Sequence, residues 1–386
     1  MYQVISFDLK GGIASSEIIP WDIPEDLSHF GILTKTAPVG RKNAVIMGAH
    51  TWNTTPYFKE RINIVLTRGK TSLVTKSSTP YRVHSVEAGE KLARELNAFR
   101  IFIIGGAQVL KSAKEYVRGS FLTRVGADYS CDTFLEDMFS PEDDVLSLPF
   151  ISNNIPVTFA YQGDFDIYQN KPEWNYLSAL HHTIESKDIS QITSGQTRNI
   201  HALDMRFSLT RFPLLTTKRL VITNILESVL ANTREEVNSL FPTLTEISGL
   251  SHMIHEVNDM SYSITQNGNP LLMHFHVHDN KLHCKVAQSV RDIFTEVPVD
   301  IASYATLVYI ICALMTNAGH PITPGDLHLS FDRVYIPECH LKSAIKQLFR
   351  PPFDFPIMKL NTNATHVEEL NVSDFQLEEY TCYPKL

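Results

Sequence analysis

Three histidines stand at alternate positions in residues 269 to 278, NPLLMHFHVH. His274, His276 and His278 share one face if the segment is a β-strand, because side chains along a strand alternate between its two faces. Imidazole is a common metal ligand, but alternate residues on one strand rarely direct three ligands onto one ion. The pattern therefore favours a polar strand face, and no metal site is predicted.

An acid and an aromatic residue stand four positions apart in residues 18 to 33, IIPWDIPEDLSHFGIL. Asp22 is predicted to cap a helix whose first turn contains Pro24. On that helix Asp26 and Phe30 share one face. This would set a carboxylate beside an apolar ring, although acids in a first turn also simply complement the helix dipole.

A pair of glycines follows an apolar run in residues 100 to 110, RIFIIGGAQVL. Gly105 and Gly106 stand between a predicted buried strand and a predicted helix. At such a junction backbone N–H groups can hold a pyrophosphate. Tight packing between strand and helix would explain the two glycines equally well.

Both strands and helices must position these residues. In the first 140 residues, short β-branched runs alternate with helical patterns, which indicates an α/β unit. Residues 156 to 168 are predicted to form an antiparallel hairpin that turns at Gln162-Gly163. The polar break at 169–173 predicts two domains, 1–170 and 171–386, the second with the mixed pattern of an α+β unit.

Composition excludes several classes of protein. Hydrophobic content of 43% and charged content of 20% are typical of globular domains, and the net charge of −8 argues against nucleic acid as a partner. Five scattered cysteines favour neither a disulfide framework nor a zinc knuckle. The N-terminus lacks the pattern of a signal peptide, and the apolar run at 305–315 is too short to span a bilayer. We therefore expect a cytoplasmic protein without membrane contact.

Residues 1 to 168 resemble dihydrofolate reductase. The resemblance is carried, in order, by GGIA, IPWDIPEDLSHF, VIMGAHTW, RINIVLTR, FIIGG, FLTRV and DYSCDTF. It implies an eight-stranded sheet that binds NADPH and reduces dihydrofolate to tetrahydrofolate. Asp26 matches the catalytic acid, which hydrogen-bonds the pterin and supports protonation beside the carbon that accepts the hydride.

The same resemblance assigns binding residues. Substrate positions are matched by Trp21, Phe30, Arg61, Ile104 and Thr123, with Arg61 pairing with the carboxylate of the glutamate tail. Cofactor positions are matched by Ile13, Thr51, Thr67, Arg68, Gly105 and Gly106. Three departures, Ala14, Ala49 and Leu110, predict weaker or altered NADPH preference.

From about Pro172 to the end the chain resembles thymidylate synthase. The resemblance is carried chiefly by FPLLTTKRL, LLMHFHVHDNKLHC and DIASYATLVYIICALM. It implies the reductase–synthase architecture of a single chain and a homodimer formed through the second domain. Together the two resemblances predict an α/β dihydrofolate reductase fold followed by an α+β thymidylate synthase-like fold.

Several positions depart from the synthase pattern. Asn269 stands at the place of the nucleophilic cysteine, and an amide offers no thiolate. Other changes fall at the catalytic glutamate, the phosphate site, the base site and the sugar site, at Ser228, Ser289, Asp300, Arg333 and Tyr335. These departures predict a synthase half without synthase activity and without a cofactor of its own.

Two functions follow from these expectations. The first is an active reductase joined to an inert synthase-like platform for dimerisation or interaction. The alternative is a chain with neither activity, which acts as a structural subunit of a larger protein assembly. Asp26 and Arg61 favour the first, because a scaffold has no physical reason to keep a carboxylate in an apolar pocket.

Overall fold

The structure is a computed structural model that describes residues 1–67, 69, 72–135, 139–164, 166–169, 171–192, 195–240, 259–266 and 269–386. Its contacts divide the chain into two compact units, Met1–Asp166 and Ile167–Leu386. Arg68, and the side chain of Asn269, lie outside the described residues.

The first unit is built on one large sheet. Its strands are β1 Tyr2–Phe7, β2 Gly12–Ala14, β3 Ala44–Gly48, β4 Ile62–Leu66, β5 Tyr81–Val83, β6 Ile101–Gly105, β7 Gly119–Val125, β8 Thr133–Phe134, β9 Leu146–Ser152 and β10 Ile155–Gly163. Eight of these pair in the order β5-β4-β3-β6-β1-β7-β10-β9, which confirms the predicted eight-stranded sheet. Only β10 and β9 introduce antiparallel pairing into that sheet.

Helices cover this sheet, and their bounds are α1 Pro24–Lys35, α2 Ala49–Thr54, α3 Val86–Glu95 and α4 Ala107–Ser112. Strands β3 and β6 are apolar along their whole length, as is typical of strands covered on both faces. In β3, for example, Ala44, Val45, Ile46 and Met47 are all fully buried. The core under the sheet is therefore continuous from β5 to β7.

The predicted hairpin at 156–168 is wrong in its turn. The hairpin is formed by β9 and β10, and it turns at Asn153-Asn154, where both residues have positive φ angles. Asparagine tolerates this left-handed conformation better than most residues. Gln162 and Gly163 instead end β10, and a short helix, α5 Asp166–Gln169, follows.

The second unit has a six-stranded sheet in the order β11-β12-β16-β15-β14-β13. Its strands are β11 Ile189–Ile192, β12 Gly195–Ser208, β13 Asp259–Gln266, β14 Asn269–His278, β15 Lys281–Asp292 and β16 Thr323–Pro337, and a separate pair is formed by β17 Ile357–Leu360 and β18 Phe375–Glu378. The helices are α6 Trp174–Glu185, α7 Ile222–Leu240, α8 Val297–Asn317 and α9 Glu338–Leu348. Helices and strands of both pairings therefore form the predicted α+β unit.

Helix α8 is the core helix of this unit. Among the described residues it alone is long and apolar enough to cross a membrane, with a mean hydropathy of 1.8 over its best window, but 56% of that window is buried inside the protein. The run at 305–315 is thus the centre of a 21-residue helix. Burial against β15 and β16 explains its apolar composition.

The segment FPLLTTK is buried because it binds an internal carboxylate. Glu173 is fully buried and accepts hydrogen bonds from the backbone N–H and the hydroxyl of both Thr216 and Thr217. Burial raises the pKa of Glu173, and these four donors oppose that rise. Both threonines of the segment are therefore needed to satisfy one buried acid.

Candidate active site

The first unit has a crevice where its strand order reverses. Strands β3 and β6 are parallel neighbours, but the chain leaves β3 through α2 towards β4 and leaves β6 through α4 towards β7. In open α/β sheets ligands bind at such a point, outside the carboxyl ends of the strands. Gly48 and Gly105 are the last residues of these two strands.

Glycines keep this crevice open to a ligand. A Cβ on Gly48 would lie 3.3 Å from Val109 and 3.7 Å from the backbone nitrogen of Gly106, and a Cβ on Gly106 would lie 3.3 Å from the hydroxyl of Thr51. Gly105 has a φ of +134°, which side chains rarely allow. A dinucleotide phosphate could approach this backbone closely, so the residues fit a nucleotide cofactor.

Thr67 gives a second indication of a ligand. It follows β4 and is only 5% exposed, and its hydroxyl has no hydrogen-bond partner within the part of the chain that the structure describes. A buried hydroxyl without a partner is unfavourable unless a ligand satisfies it. Ile13, by contrast, packs against the apolar core under the sheet.

The predicted acid lies at the other side of β1. Helix α1 begins at Pro24 with Ile23, and not Asp22, at its N-cap, so the predicted cap is wrong. Asp26 is in the first turn, and its carboxylate accepts a hydrogen bond of 2.6 Å from the hydroxyl of Thr123. Its environment is therefore built by the side chains of the sheet and not by the helix dipole alone.

Two hydroxyls contact this carboxylate. The hydroxyl of Ser6 on β1 also lowers the pKa of Asp26, and the indole nitrogen of Trp21 donates to this hydroxyl at 2.7 Å. Burial raises the pKa of Asp26, and the hydrogen bonds from Thr123 and Ser6 partly offset that rise. The site thus holds an acid that takes up a proton more readily than an exposed aspartate does.

Phe30 on the same helix and Arg61, just before β4, form a second group. The guanidinium of Arg61 lies 5.6 Å from the ring centre of Phe30 and 5.5 Å from that of Phe58. Its Nε is buried without a partner among the described residues, and burial lowers the pKa of the guanidinium. A partly dehydrated cation between two aromatic rings is suited to bind a carboxylate.

The predicted residues therefore fall into three groups. Trp21, Asp26 and Thr123 are joined by hydrogen bonds, Phe30 contacts Arg61, and Thr51 faces the two glycines. Ile104 lies on β6, the strand next to β1. The sequence reasoning missed Ser6 and Phe58. A hydroxyl within the apolar strand YQVISF was the signal that could have identified Ser6.

In the second unit, the base-site position is part of a half-buried ion pair. Asp300, in the first turn of α8, accepts a hydrogen bond of 3.0 Å from Nε of Arg291. Burial raises the pKa of Asp300 to about 6, although Arg291 opposes this. The other positions lie apart: Ser228 is exposed on α7, Ser289 is on β15, and Arg333 and Tyr335 are half-buried on β16.

The histidines of the opening segment lie on one face of β14, as the alternation predicts. The rings of His274 and His276 are 5.8 Å apart, and His276 stacks at 4.8 Å on His283 of β15. In the described part of the chain, no group of three histidine, cysteine or acidic side chains is arranged to hold a metal.

Comparison with known proteins agrees with this division of the chain. The family model described as dihydrofolate reductase matches residues 1–143, and the model described as thymidylate synthase matches residues 254–386. The chain thus has the fold of a dihydrofolate reductase domain followed by that of a thymidylate synthase domain.

Full-length relatives have the same order of domains. The bifunctional dihydrofolate reductase-thymidylate synthase of Zea mays is 26% identical over 509 residues, which cover 100% of this chain and 96% of the relative. The bifunctional enzyme of Leishmania major is 25% identical over 492 residues, which cover 99% of this chain and 93% of the relative. The alignments are longer than this chain of 386 residues, so the relatives contain segments that it lacks.

These comparisons overturn one prediction. The expectation that the synthase domain is not an enzyme is wrong, because the synthase model matches residues 254–386 and the aligned relatives are named as bifunctional enzymes. The expectation depended on assigning single residues, above all Asn269, along strands. A shift of one residue along a strand exchanges its two faces, so such assignments fail easily at this level of identity. The alternative of an inert structural subunit, which used the same assignments, has no support either.

The raised pKa of Asp26 should make the stability of the folded protein depend on pH. An unfolded aspartate ionises near pH 4, whereas burial raises the pKa of Asp26 in the folded protein. The protonated acid therefore stabilises the fold below the unfolded pKa, and this stabilisation is lost as the pH rises through the folded pKa. We expect Asp26→Asn to raise the urea midpoint above that of wild type at pH 8 and to have a smaller effect at pH 4.

Tryptophan fluorescence can follow this unfolding, since Trp21 and Trp52 both belong to the first domain. The matched control is Asp22→Asn, a neighbouring exposed acid, which should leave the midpoint unchanged at both pH values. A lower midpoint for Asp26→Asn than for wild type at pH 8 would show that the ionised carboxylate stabilises the fold.

Proposed function

We propose that the first domain, residues 1–170, reduces dihydrofolate to tetrahydrofolate with NADPH. The observation that carries this proposal is the buried carboxylate of Asp26, held by Thr123 in a domain that matches the reductase family. An ionisable acid in an apolar site destabilises the folded protein, so its presence there indicates a functional role. Its raised pKa makes it suited to hydrogen-bond a pterin ring and to support its protonation.

We assign recognition of the substrate to two groups of side chains, the group around Asp26 and the group around Arg61. Asp26 binds the polar edge of the pterin, with Trp21 and Ile104 beside the ring. Phe30 borders the middle of the molecule. Arg61 takes the carboxylate of the glutamate tail, which would satisfy its buried Nε. The aromatic rings on either side hold the guanidinium in position and reduce the freedom that binding must remove.

NADPH is assigned to the crevice between β3 and β6. The backbone of Gly105 and Gly106, with the hydroxyl of Thr51, would contact its phosphates, and Thr67 and Arg68 would contact the ribose and its phosphate. Ile13 would border the nicotinamide. When bound, the cofactor supplies the hydride, and the residues of the chain bind it and orient it towards the pterin.

Two variants of the full chain separate these roles. With NADPH oxidation as the readout, Asp26→Asn should lower kcat by about a hundredfold, because the proton is handled by this acid alone. Arg61→Met should instead raise the KM for dihydrofolate by roughly thirtyfold, the equivalent of ~2 kcal/mol, with kcat within about threefold.

A dihydropterin substrate without the p-aminobenzoylglutamate tail, and so without any carboxylate, is the matched control, because Arg61→Met should leave its KM unchanged. Wild-type protein that does not oxidise NADPH in the presence of dihydrofolate would refute the proposal. An equal loss with both substrates would refute only the role of Arg61.

A second function is proposed for residues 171–386, methyl transfer of the thymidylate synthase class. The observation that favours it is the match of the synthase model to residues 254–386. Burial raises the pKa of Cys284, and that of Cys312 to about 12, which makes both thiols poor nucleophiles. Cys339 is exposed and Cys382 half-buried, so these two are the accessible thiols of the domain.

Tritium release from 5-tritiated dUMP in the presence of methylenetetrahydrofolate tests this second function. We expect release with the wild-type chain and at least tenfold less with either Cys339→Ser or Cys382→Ser. Cys131→Ser, in the reductase domain, is the control. Absence of release from the wild type would refute the assignment, and release from both variants would exclude a cysteine nucleophile at these positions.

A homodimer through the synthase domain is the third part of the proposal. One face of its sheet is buried by helices, as with Phe275, Val286 and Leu329. The opposite face, here called the open face, carries polar side chains such as His276 and the exposed Lys285. Association through this open face would pack the sheets of two chains face to face. The central strands β15 and β16 are 12 and 15 residues long and would supply a large contact area.

Light scattering of the intact chain should therefore give about twice the mass of 43.7 kDa. Reversal of charge on the open face, Lys285→Glu, should shift the mass towards that of one chain, while Lys111→Glu on the first domain should not. A wild-type mass of one chain at micromolar concentration would contradict the dimer.

A further inference from the structure

The hydroxyl of Ser6 occupies a defined place beside the catalytic acid. Ser6 on β1 and Thr123 on β7 are register partners on adjacent parallel strands. Their side chains therefore leave the same face of the sheet, next to each other. Thr123 donates a hydrogen bond to the carboxylate of Asp26, which approaches from α1, and the neighbouring hydroxyl of Ser6 also lowers the pKa of that acid.

The direction of each hydrogen bond follows from the donors available. The indole N–H of Trp21 can only donate, so the Ser6 oxygen accepts in their contact of 2.7 Å. The single proton of Ser6 is then free to point at Asp26. Turned towards the carboxylate, this proton would complete one directed chain from Trp21 through Ser6 to Asp26, while Thr123 donates to Oδ1 from the neighbouring strand.

We propose that Ser6 is a positioning residue for the reduction, which fixes the orientation of the Asp26 carboxylate by linking it to Trp21. This inference rests on the proposed reductase function. With two hydroxyls on one side, the carboxylate cannot rotate freely about its Cβ–Cγ bond, and it presents a constant edge to the substrate. Without Ser6, Thr123 alone would hold it, and rotation about that single contact would become possible.

Charged neighbours do not take over this role. On β7, the next residue Arg124 pairs with Asp144 at 2.5 Å. On α1, Glu25 accepts a hydrogen bond from Ser152, and His29 stacks on Phe159 of β10 at 4.7 Å. Within the described residues, burial and the two hydroxyls are the influences on the protonation of Asp26.

The test uses the full chain carrying ¹³C-labelled aspartate carboxyl groups. NMR titration of Asp26 in the absence of ligands, assigned with Asp26→Asn, gives its midpoint directly. In Ser6→Ala the midpoint should move to higher pH, because the ionised form loses a donor, and Ser6→Thr should restore the wild-type value. Trp21→Phe should also move the midpoint of Asp26 to higher pH, but by a smaller amount. In that variant Ser6 keeps its hydroxyl proton, but no indole fixes the direction in which the proton points.

Kinetics on the same proteins complete the test. Ser6→Ala should lower kcat about tenfold, the equivalent of one hydrogen bond to a charged group, with the KM for dihydrofolate within threefold. Ser6→Thr should recover at least half of kcat. The alkaline limb of the pH profile of kcat should follow the NMR midpoint.

Several results would overturn the inference. An unchanged NMR midpoint in Ser6→Ala would show that the hydroxyl does not act on the acid, even if kcat falls. An equal loss of kcat in Ser6→Ala and Ser6→Thr would indicate a packing role. Wild-type protein without turnover would refute the proposed function itself, and the titration would still report separately whether Ser6 binds Asp26.

Discussion

The reductase domain depends on a carboxylate that is buried and nevertheless satisfied. Asp26 has lost most of its contact with water, and two hydroxyls on adjacent strands replace part of that hydration. This arrangement requires β1 and β7 to be neighbours in one register, so that Ser6 and Thr123 stand side by side. It also requires α1 to begin at Pro24, because the acid must lie in the first turn to reach them. The order of the sheet is therefore a condition for the chemistry and not only a support for it.

The synthase domain also contains two acids that have little contact with water. Glu173 is buried completely and satisfied by two threonines, and Asp300 is half-buried beside Arg291. In the first case neutral donors surround the acid, and in the second an opposite charge does so. Leaving either acid without its partners would be strongly unfavourable in such surroundings. These internal contacts explain why polar residues persist within segments that are otherwise apolar.

The architecture could be predicted from the sequence. Apolar strand runs and helical spacing predicted an α/β unit and placed Asp26 and Phe30 on one face of a helix, while the resemblance to dihydrofolate reductase implied the eight-stranded sheet. Ser6 could not be predicted, because its role depends on pairing with a strand far along the chain. The turn at Asn153-Asn154 was missed because Gln162-Gly163 offered an equally plausible turn. In the synthase domain, single residues were read as losses of activity, although the register that assigns them is not contained in local sequence.

Hydride transfer is tested most directly by following a hydrogen atom from cofactor to product. NADPH carrying deuterium at both positions of C4 is incubated with dihydrofolate and the full chain, and the product is analysed by mass spectrometry. We predict tetrahydrofolate that is heavier by one deuterium, with the second new hydrogen taken from water. Product without deuterium, or no product while both ligands bind, would contradict hydride transfer in this domain.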